Sequence, residues 1–496
     1  MKKTKGKWKQ APHTRVRNNK PYSAGRGKVK RTCYKNYGAM APSTISYLRD
    51  KGGEIFIVGG KVRDRLTGQE SKDVDYLIRK IPPQRLVELL RKRGTAKIDN
   101  NMGVVKFKDA LMPYQKEPDD IVLPRKEQST GEGHRDFEMI YGENIPLKED
   151  LQRRDFTINA MAMNAQTGEI VDPFGGKQDI KSKIIRLVNP NAFKEDPLRM
   201  MRAAQFAARM DANIASKTKS SMKQHSDLIK TVTSERISDE FRKGFGKGKN
   251  PEKMFDSLFD TGVLQQIIPE TARIKNYEQN KYHKYNLDKH THETIKAIGK
   301  LTQGMPQNKR FKLGMAALLH DLGKPDSLVI TPGKGRQFLG HATKSADISR
   351  GILNKLKVST DEKRDILSLV ENHDRFLHGD ISDKKIRGLI HKLGPGITRD
   401  LVMFRKADRL GQGKLSADQI SKENNDFLKR VEYNIPITYG TKDLAITGKS
   451  LVNAYKIPPG KQIGEILGNM QKAVLSNPSL NNKVGLLQFI PKKYSK

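Results

Sequence analysis

Two aspartates, Asp73 and Asp75, stand one residue apart in "SKDVDYLI", directly before an apolar run. On a strand, side chains at this spacing project to the same face. Their carboxylates would crowd and repel, and a cation between them relieves that repulsion. Mg²⁺ suits a site of a few carboxylates completed by substrate phosphate oxygens. Upstream, "IVGGKVRDRL" leads a short apolar stretch into Gly59 and Gly60. A Gly-Gly turn after a strand lets backbone N–H groups approach phosphate closely, because no Cβ intervenes. Arg63 is placed to add a positive charge. These are the parts of an in-line displacement at phosphorus, in which two ions hold the attacking hydroxyl and the leaving pyrophosphate. D-x-D alone usually marks a solvated turn; following G-G-x-x-R-D it is much more specific.

A second set of candidates lies far downstream. "LLHDLGKPDS" places adjacent His320 and Asp321 in an apolar helix expected to end at Gly323. A lone His-Asp pair is often a structural hydrogen bond, but other ligand types recur at wide spacing: His290 in "DKHTHET", His341 in "LGHATKSA", His373 in "ENHD" and Asp408 in "RKADRLG". Imidazole and carboxylate together suit a transition metal that activates water for phosphoester hydrolysis.

The elements that must position these groups are legible as short β-type runs at Ile55–Val58, Val74–Ile78, Val104–Phe107 and Ile121–Leu123, with a helical pattern, "PPQRLVELLRKRG", between them. Proline at its start and glycine at its end are the ordinary boundary signals. After about residue 190 helical periodicity takes over, as in "PLRMMRAAQFAARM" and "RFKLGMAALLH". The expected class is α+β: a head with a mixed β-sheet and helices, followed by an all-α remainder. The expected division is a basic arm at 1–40, a head at 41–188, a helical neck at 189–275, a second catalytic domain at 276–412 and a helical, RNA-binding tail at 413–496.

Composition narrows the partners. The chain has 496 residues, 94 Lys or Arg and 55 Asp or Glu, a formal charge of +39. Such an excess favours nucleic acid, since each phosphate neutralised releases counterions. Residues 1–40 carry 13 Lys or Arg and no acid; this stretch reads as a flexible basic arm whose Trp8, Tyr22, Tyr34 and Tyr37 could stack on bases. Cys33 is the only cysteine, which excludes an intrachain disulfide and thiolate zinc sites. No apolar run approaches the roughly 20 residues of a membrane span. "MKKTKGKWKQ" has no apolar region behind its charges, so a signal peptide is not expected and a reducing, cytoplasmic location is.

Four segments, "GGKVRDRLTGQESKDVDYLI", "DIVLPRKEQSTGEGHRDFE", "LQRRDFTINAMAMN" and "EDPLRMMRAAQFAAR", follow one another in order. Together they resemble the class II tRNA nucleotidyltransferases (CCA-adding enzymes) and the related bacterial poly(A) polymerases. The resemblance runs from about residue 50 onward. It implies that Asp73 and Asp75 bind Mg²⁺, with Asp120 a further acid of the catalytic centre. It implies that Gly59, Gly60, Arg63, Arg153, Arg154, Asp155, Asn159 and Arg202 contact nucleotide, and that Asp196 and Arg199 of E-D-x-x-R read the incoming base. An Asp acceptor beside an Arg donor matches the edges of C and A and mismatches those of U and G. The bland reading of the same two residues is a surface ion pair worth a few tenths of a kcal/mol.

The downstream set resembles the HD phosphohydrolase superfamily. That resemblance implies His290, His320, Asp321 and Asp408 as ligands of a divalent transition metal (Ni²⁺, Mn²⁺ or Co²⁺), with His341 and His373 on a second metal or the phosphate. His292 competes with His290, and the His-Thr pairing favours His290. An HD domain after the neck resembles the multifunctional CCA-adding enzymes, which hydrolyse 2′,3′-cyclic phosphates and 2′-phosphates. The implied activity is addition of CCA to tRNA from CTP and ATP. The alternatives are a poly(A) or A-adding polymerase, favoured by the basic arm, and a nonenzymatic RNA-binding protein, which the intact Asp73, Asp75 and Arg154 oppose.

Overall fold

In the computed structural model, the described residues are 40–69, 74–99, 103–112, 117–129, 137–375, 381–437 and 440–494. The basic arm, with its aromatics, and Asp73 lie outside them. The head begins with strand β1 (Glu54–Val58), the turn at Gly59 and the helix Gly60–Leu66, then β2 (Asp75–Arg79). The helix Pro83–Arg91 leads to β3 (Gly94–Asp99), β4 (Val104–Asp109) and β5 (Asp119–Val122). A separate hairpin, β6 (Arg125–Ser129) and β7 (Phe137–Tyr141), precedes β8 (Ala162–Asn164) and β9 (Ile170–Val171).

The main sheet has the order β3–β4–β5–β2–β1–β8–β9. The β2–β5 pair is parallel and the others are antiparallel. The sheet is therefore mixed, as expected. Phe56, Val58 and Leu77 pack on one face with Leu151 and Ala160. Ile55, Ile57, Tyr76 and Ile78 pack on the other with Leu86 and Leu90. Central strands buried on both faces read as continuous apolar runs, which is why β1 and β2 were visible in the sequence. Strand β3 was not: "GTAKID" buries only Ala96. Gly94 opens that strand rather than closing the preceding helix. A Cβ there would meet the Lys108 carbonyl at 2.1 Å, so glycine lets β3 approach β4.

Beyond the head the chain is mainly helical. The helix Leu198–Met210 is buried along most of its length. One continuous apolar core links it through Phe241, Phe245, Phe311 and Leu319 to Phe404 and Val431. Residues 444–490 form a smaller core of their own around Leu451, Ile466 and Met470. Two features depart from an all-α remainder: a short parallel bridge between Ile184–Ile185 and Asn213–Ile214, and a hairpin of Leu328–Thr331 with Gly335–Phe338. "TPGKGRQFLG" thus carries a hairpin turn, its Gly333 and Gly335 in the left-handed region at φ 76° and 73°.

Candidate active sites

The first site is assembled by the centre of the sheet. Strand pairing sets Asp75 beside Val58 and, on its other side, directly beside Asp120. Register partners of adjacent strands share a face, and here it is the face that carries Val58, Leu77 and Leu151. Asp120 also pairs with the Lys106 ammonium. Gly59 holds φ +68°, and a Cβ on it would stand 3.3 Å from Arg154 Nη1 and 3.6 Å from Asp75 Oδ2. The turn, the arginine and the carboxylate therefore converge. Gly60 starts the following helix and stands beside the Arg63 guanidinium. Arg63 is buried; it donates to Asn159 Oδ1 at 2.6 Å and pairs with Asp64 at 2.7 Å.

The R-R-D motif is held from below by a residue that sequence reasoning missed. Asp150 is fully buried and pairs with Arg153 at 2.7 Å and Arg154 at 3.3 Å. It lies three and four residues before them, which is the signal that could have found it. Burial opposes its ionisation, but Arg154 and Arg153 outweigh burial and hold the carboxyl below its usual range. Asp155 behaves alike. Burial raises it, while Arg202, donating through Nε at 2.8 Å and Nη2 at 2.6 Å, together with Asn159, lowers it further.

The Arg199 backbone N–H donates to the Asp196 carbonyl at 3.0 Å, but the two side chains take different partners, Glu195 and Arg236, so they are not an ion pair with each other. Arg199 is buried, held by Glu195 at 2.8 Å and by the Ala192 and Arg153 carbonyls at 3.3 and 2.9 Å. Asp196 accepts from Arg236 Nη2 at 3.2 Å. Arg236 lies 40 residues away in sequence, and nothing local could have announced it.

The second site lies in the helical half. His290 sits on the helix Leu287–Leu301 and Asp408 on the long helix Asp383–Gln412. The helix Gln307–Leu319 stops at Leu319, not Gly323; His320 is its cap residue and Asp321 lies in the turn beyond. The turn is needed because Gly323 packs against the next helix, where a Cβ would meet the Ser345 nitrogen at 2.5 Å. His341 opens that helix, His341–Lys355, and His373 caps Thr360–Asn372.

Six side chains converge. His290 Nε2 is 3.0 Å from Asp408 Oδ1, 3.2 Å from Asp321 Oδ2 and 3.1 Å from His320 Nε2. The other oxygen of Asp321 lies 3.4 Å from His341 Nε2 and 3.5 Å from His373 Nε2. In three of the four rings, Nδ1 faces a backbone carbonyl, Ala317, Phe338 or Val370, at 2.7–3.0 Å. A proton on Nδ1 leaves the Nε2 lone pair aimed inward, as a metal-ligating imidazole requires. Inward lone pairs and carboxylates call for a cation, so the donor set fits a metal. His290, His320 and Asp321 form one cluster of suitable spacing, and Asp321, His341 and His373 another. Without a metal, burial disfavours charge on His320, yet Asp321 and Asp408 outweigh it and push the imidazole up to about 10, the Nε2 proton standing where a metal cation would. His292 instead meets Asp256 at 2.6 Å, outside the cluster.

Lys324 was also missed. It is buried and donates to Asp321 at 2.6 Å and to Gln279 at 2.7 Å. His283 lies beside it, and burial with the Lys324 charge pushes that imidazole down to about 3. The position of Lys324, three residues after Asp321, was the available signal.

The chain resembles known proteins in both sequence and fold. Residues 55–186 match the poly A polymerase head domain, 212–275 the probable RNA and SrmB-binding site of polymerase A, and 337–490 a putative tRNA nucleotidyltransferase domain 2. A multifunctional CCA protein of Nitrosomonas europaea is 33% identical over 330 residues, covering 66% of this chain and 74% of that protein. The Bacillus stearothermophilus CCA-adding enzyme in complex with CTP superposes with TM-score 0.60 at 21% identity, over 88% of this chain and 94% of that one. The Thermotoga maritima CCA-adding enzyme complexed with tRNA gives 0.57 at 20%, over 90% and 93%. With the head domain matched over residues 55–186 and a relative 33% identical covered over 74% of its length, the chain belongs to the tRNA nucleotidyltransferase and poly(A) polymerase head family, and it is a nucleotidyltransferase.

Proposed function

We propose that the chain adds CCA to tRNA 3′ ends without a template, using CTP and ATP, in the cytoplasm, and that its helical half hydrolyses 2′,3′-cyclic phosphate or 2′-phosphate ends. The observation that carries the first activity is the convergence of Gly59, Arg154 and Asp75, with Asp120 paired to Asp75 across the sheet. Asp75 and Asp120, with Asp73, would hold Mg²⁺, which when bound activates the attacking hydroxyl and neutralises the leaving group. The RNA 3′ oxygen attacks the α-phosphorus and pyrophosphate leaves. Arg154, oriented by Asp150, faces the phosphates at the turn. Arg63 and Arg202 hold Asn159 and Asp155 beneath the sugar. Arg199, fixed by Glu195, donates to the base ring nitrogen; Asp196, which retains acceptor capacity beside Arg236, receives the exocyclic amine.

For the second activity the supporting observation is Asp321, whose two oxygens face separate imidazole pairs. His290, His320, Asp321 and Asp408 would hold a divalent transition metal, which when bound supplies a hydroxide nucleophile. His341 and His373 flank it, and Lys324 is positioned to neutralise a phosphate oxygen. The functional division we propose remains head 41–188, neck 189–275, HD domain 276–412 and tail 413–496.

The test separates the two centres. His320→Ala or Asp321→Ala should eliminate metal-dependent hydrolysis of 2′,3′-cyclic AMP and leave CTP and ATP incorporation into tRNA lacking CCA nearly intact. Equal losses in both assays would overturn the two-centre reading. Incorporation of ATP alone in long tracts would favour the poly(A) alternative.

A further inference from the structure

A cavity of about 340 Å³ lies where the head helix Gly60–Leu66, the neck helices Leu198–Met210 and Ser234–Lys247, and the start of the helix Gln307–Leu319 meet. It is at the low end of the roughly 300–1,000 Å³ typical of small-molecule pockets. Its lining is one-sided in charge: Arg63, Arg209, Lys247, Lys249 and Arg310 against the single acid Asp64. Arg63 is already committed to Asp64 and Asn159, and Arg310 to the Gly246 and Gly248 carbonyls. The other three cations are not neutralised by an ion pair among the described residues. Arg209 meets the neutral amide of Gln205 at 3.5 Å and the Phe206 ring at 5.8 Å. Burial, and then the facing Arg63 charge, lowers its pKa. The Asp64 and Glu240 charges partly offset this, but Asp64 pairs with Arg63 and Glu240 with Lys243.

The wall offers little for a nucleobase to stack on. Phe206 is the one aromatic ring in the lining, and the guanidinium groups of Arg63, Arg202 and Arg209 already lie 5.0, 5.5 and 5.8 Å from its centroid. Cationic groups gathered around a single ring favour charge over a planar base. A recess closed by three parts of the chain suits a short anion better than a polymer.

We propose that this cavity binds an oligophosphate anion, separately from the glycine turn at Gly59. Bound there, the anion would bridge the Arg63 helix of the head to the Arg310 helix, so that occupancy ties the two catalytic halves together.

The test uses the full chain in EDTA, so that neither carboxylate centre holds phosphate through a metal. Calorimetric titration with inorganic tripolyphosphate should show saturable binding. The Lys247→Ala/Lys249→Ala double variant alters only exposed side chains and should bind roughly five- to tenfold more weakly, with CTP incorporation unchanged. Arg209→Gln should weaken binding further. Hydrogen exchange should show tripolyphosphate protecting amides around Lys247–Asn250 and Gln303–Gln307 in the wild type only. No binding, or binding indifferent to these substitutions, overturns the proposal. So does a double variant that loses affinity for single-stranded RNA when tripolyphosphate cannot compete with that RNA, because the lysines then serve a polymer.

Discussion

At the nucleotide centre we propose, Asp150 orients cations and Asp75 presents charge to the reaction. Asp75→Ala should reduce nucleotide addition by at least about a thousandfold, since removing one preorganised charged group costs several kcal/mol of barrier. RNA affinity, measured by filter binding, should be unchanged. Asp150→Asn leaves Arg153 and Arg154 without their buried counter-charge, a loss of roughly 3–5 kcal/mol for a broken buried pair. Denaturant midpoints should fall accordingly, and KM for CTP should rise as Arg154 loses its orientation. A stable variant with wild-type KM would remove Asp150 from that positioning role. Base choice is the sharpest residue-scale test. Asp196→Ala deletes the acceptor that penalises the carbonyl edge of U and G, so the CTP-to-UTP ratio of kcat/KM should fall by about five- to 150-fold. An unchanged ratio would assign Asp196 to its ion pair with Arg236 alone.

Among the elements, the helix Asp383–Gln412 has the most demanding position. It breaks at Gly394, with φ 78° ahead of Pro395, and then delivers Asp408 to the His-Asp cluster. At Gly411 it passes so close to the helix Leu287–Leu301 that a Cβ would sit 2.2 Å from Thr294 Oγ1 and 3.1 Å from His290 Nδ1. Gly411→Ala must therefore part the two helices that carry His290 and Asp408. Overpacking of this kind costs about 1–3 kcal/mol. The expected result is a loss of metal affinity and of cyclic-phosphate hydrolysis, with CTP incorporation retained. Metal content after dialysis checks it directly.

At the scale of the molecule, the net charge of +39 is a statement about RNA. If six to ten phosphates are contacted, tRNA affinity should drop by roughly 10³–10⁵ between 50 and 200 mM salt. Cyclic-nucleotide hydrolysis by a buried, small-substrate centre should be nearly insensitive over the same range. A flat salt dependence of tRNA binding would contradict the electrostatic reading. Among the described residues no helix is long and apolar enough to cross a membrane.

Residue type and local spacing were enough to determine much of this protein. The glycine turn and the aspartate before an apolar strand follow from chemistry that adjacent residues must share, while the ordered nucleotide motifs and the scattered histidines were legible through family resemblance. β1 and β2 were legible because strands buried on both faces are apolar throughout. What only tertiary structure decided are the pairings between distant segments: Asp75 beside Asp120, Asp196 with Arg236, Asp321 between two imidazole pairs, and the cavity between Arg63 and Arg310. β3 escaped because its pairing with β4 rests on a glycine's close approach rather than on an apolar pattern. Asp150 and Lys324 lay within one helical turn of recognised residues, yet their roles depended on burial. A local pattern records which face a side chain takes, whereas its partner across the core is set by how the whole chain packs.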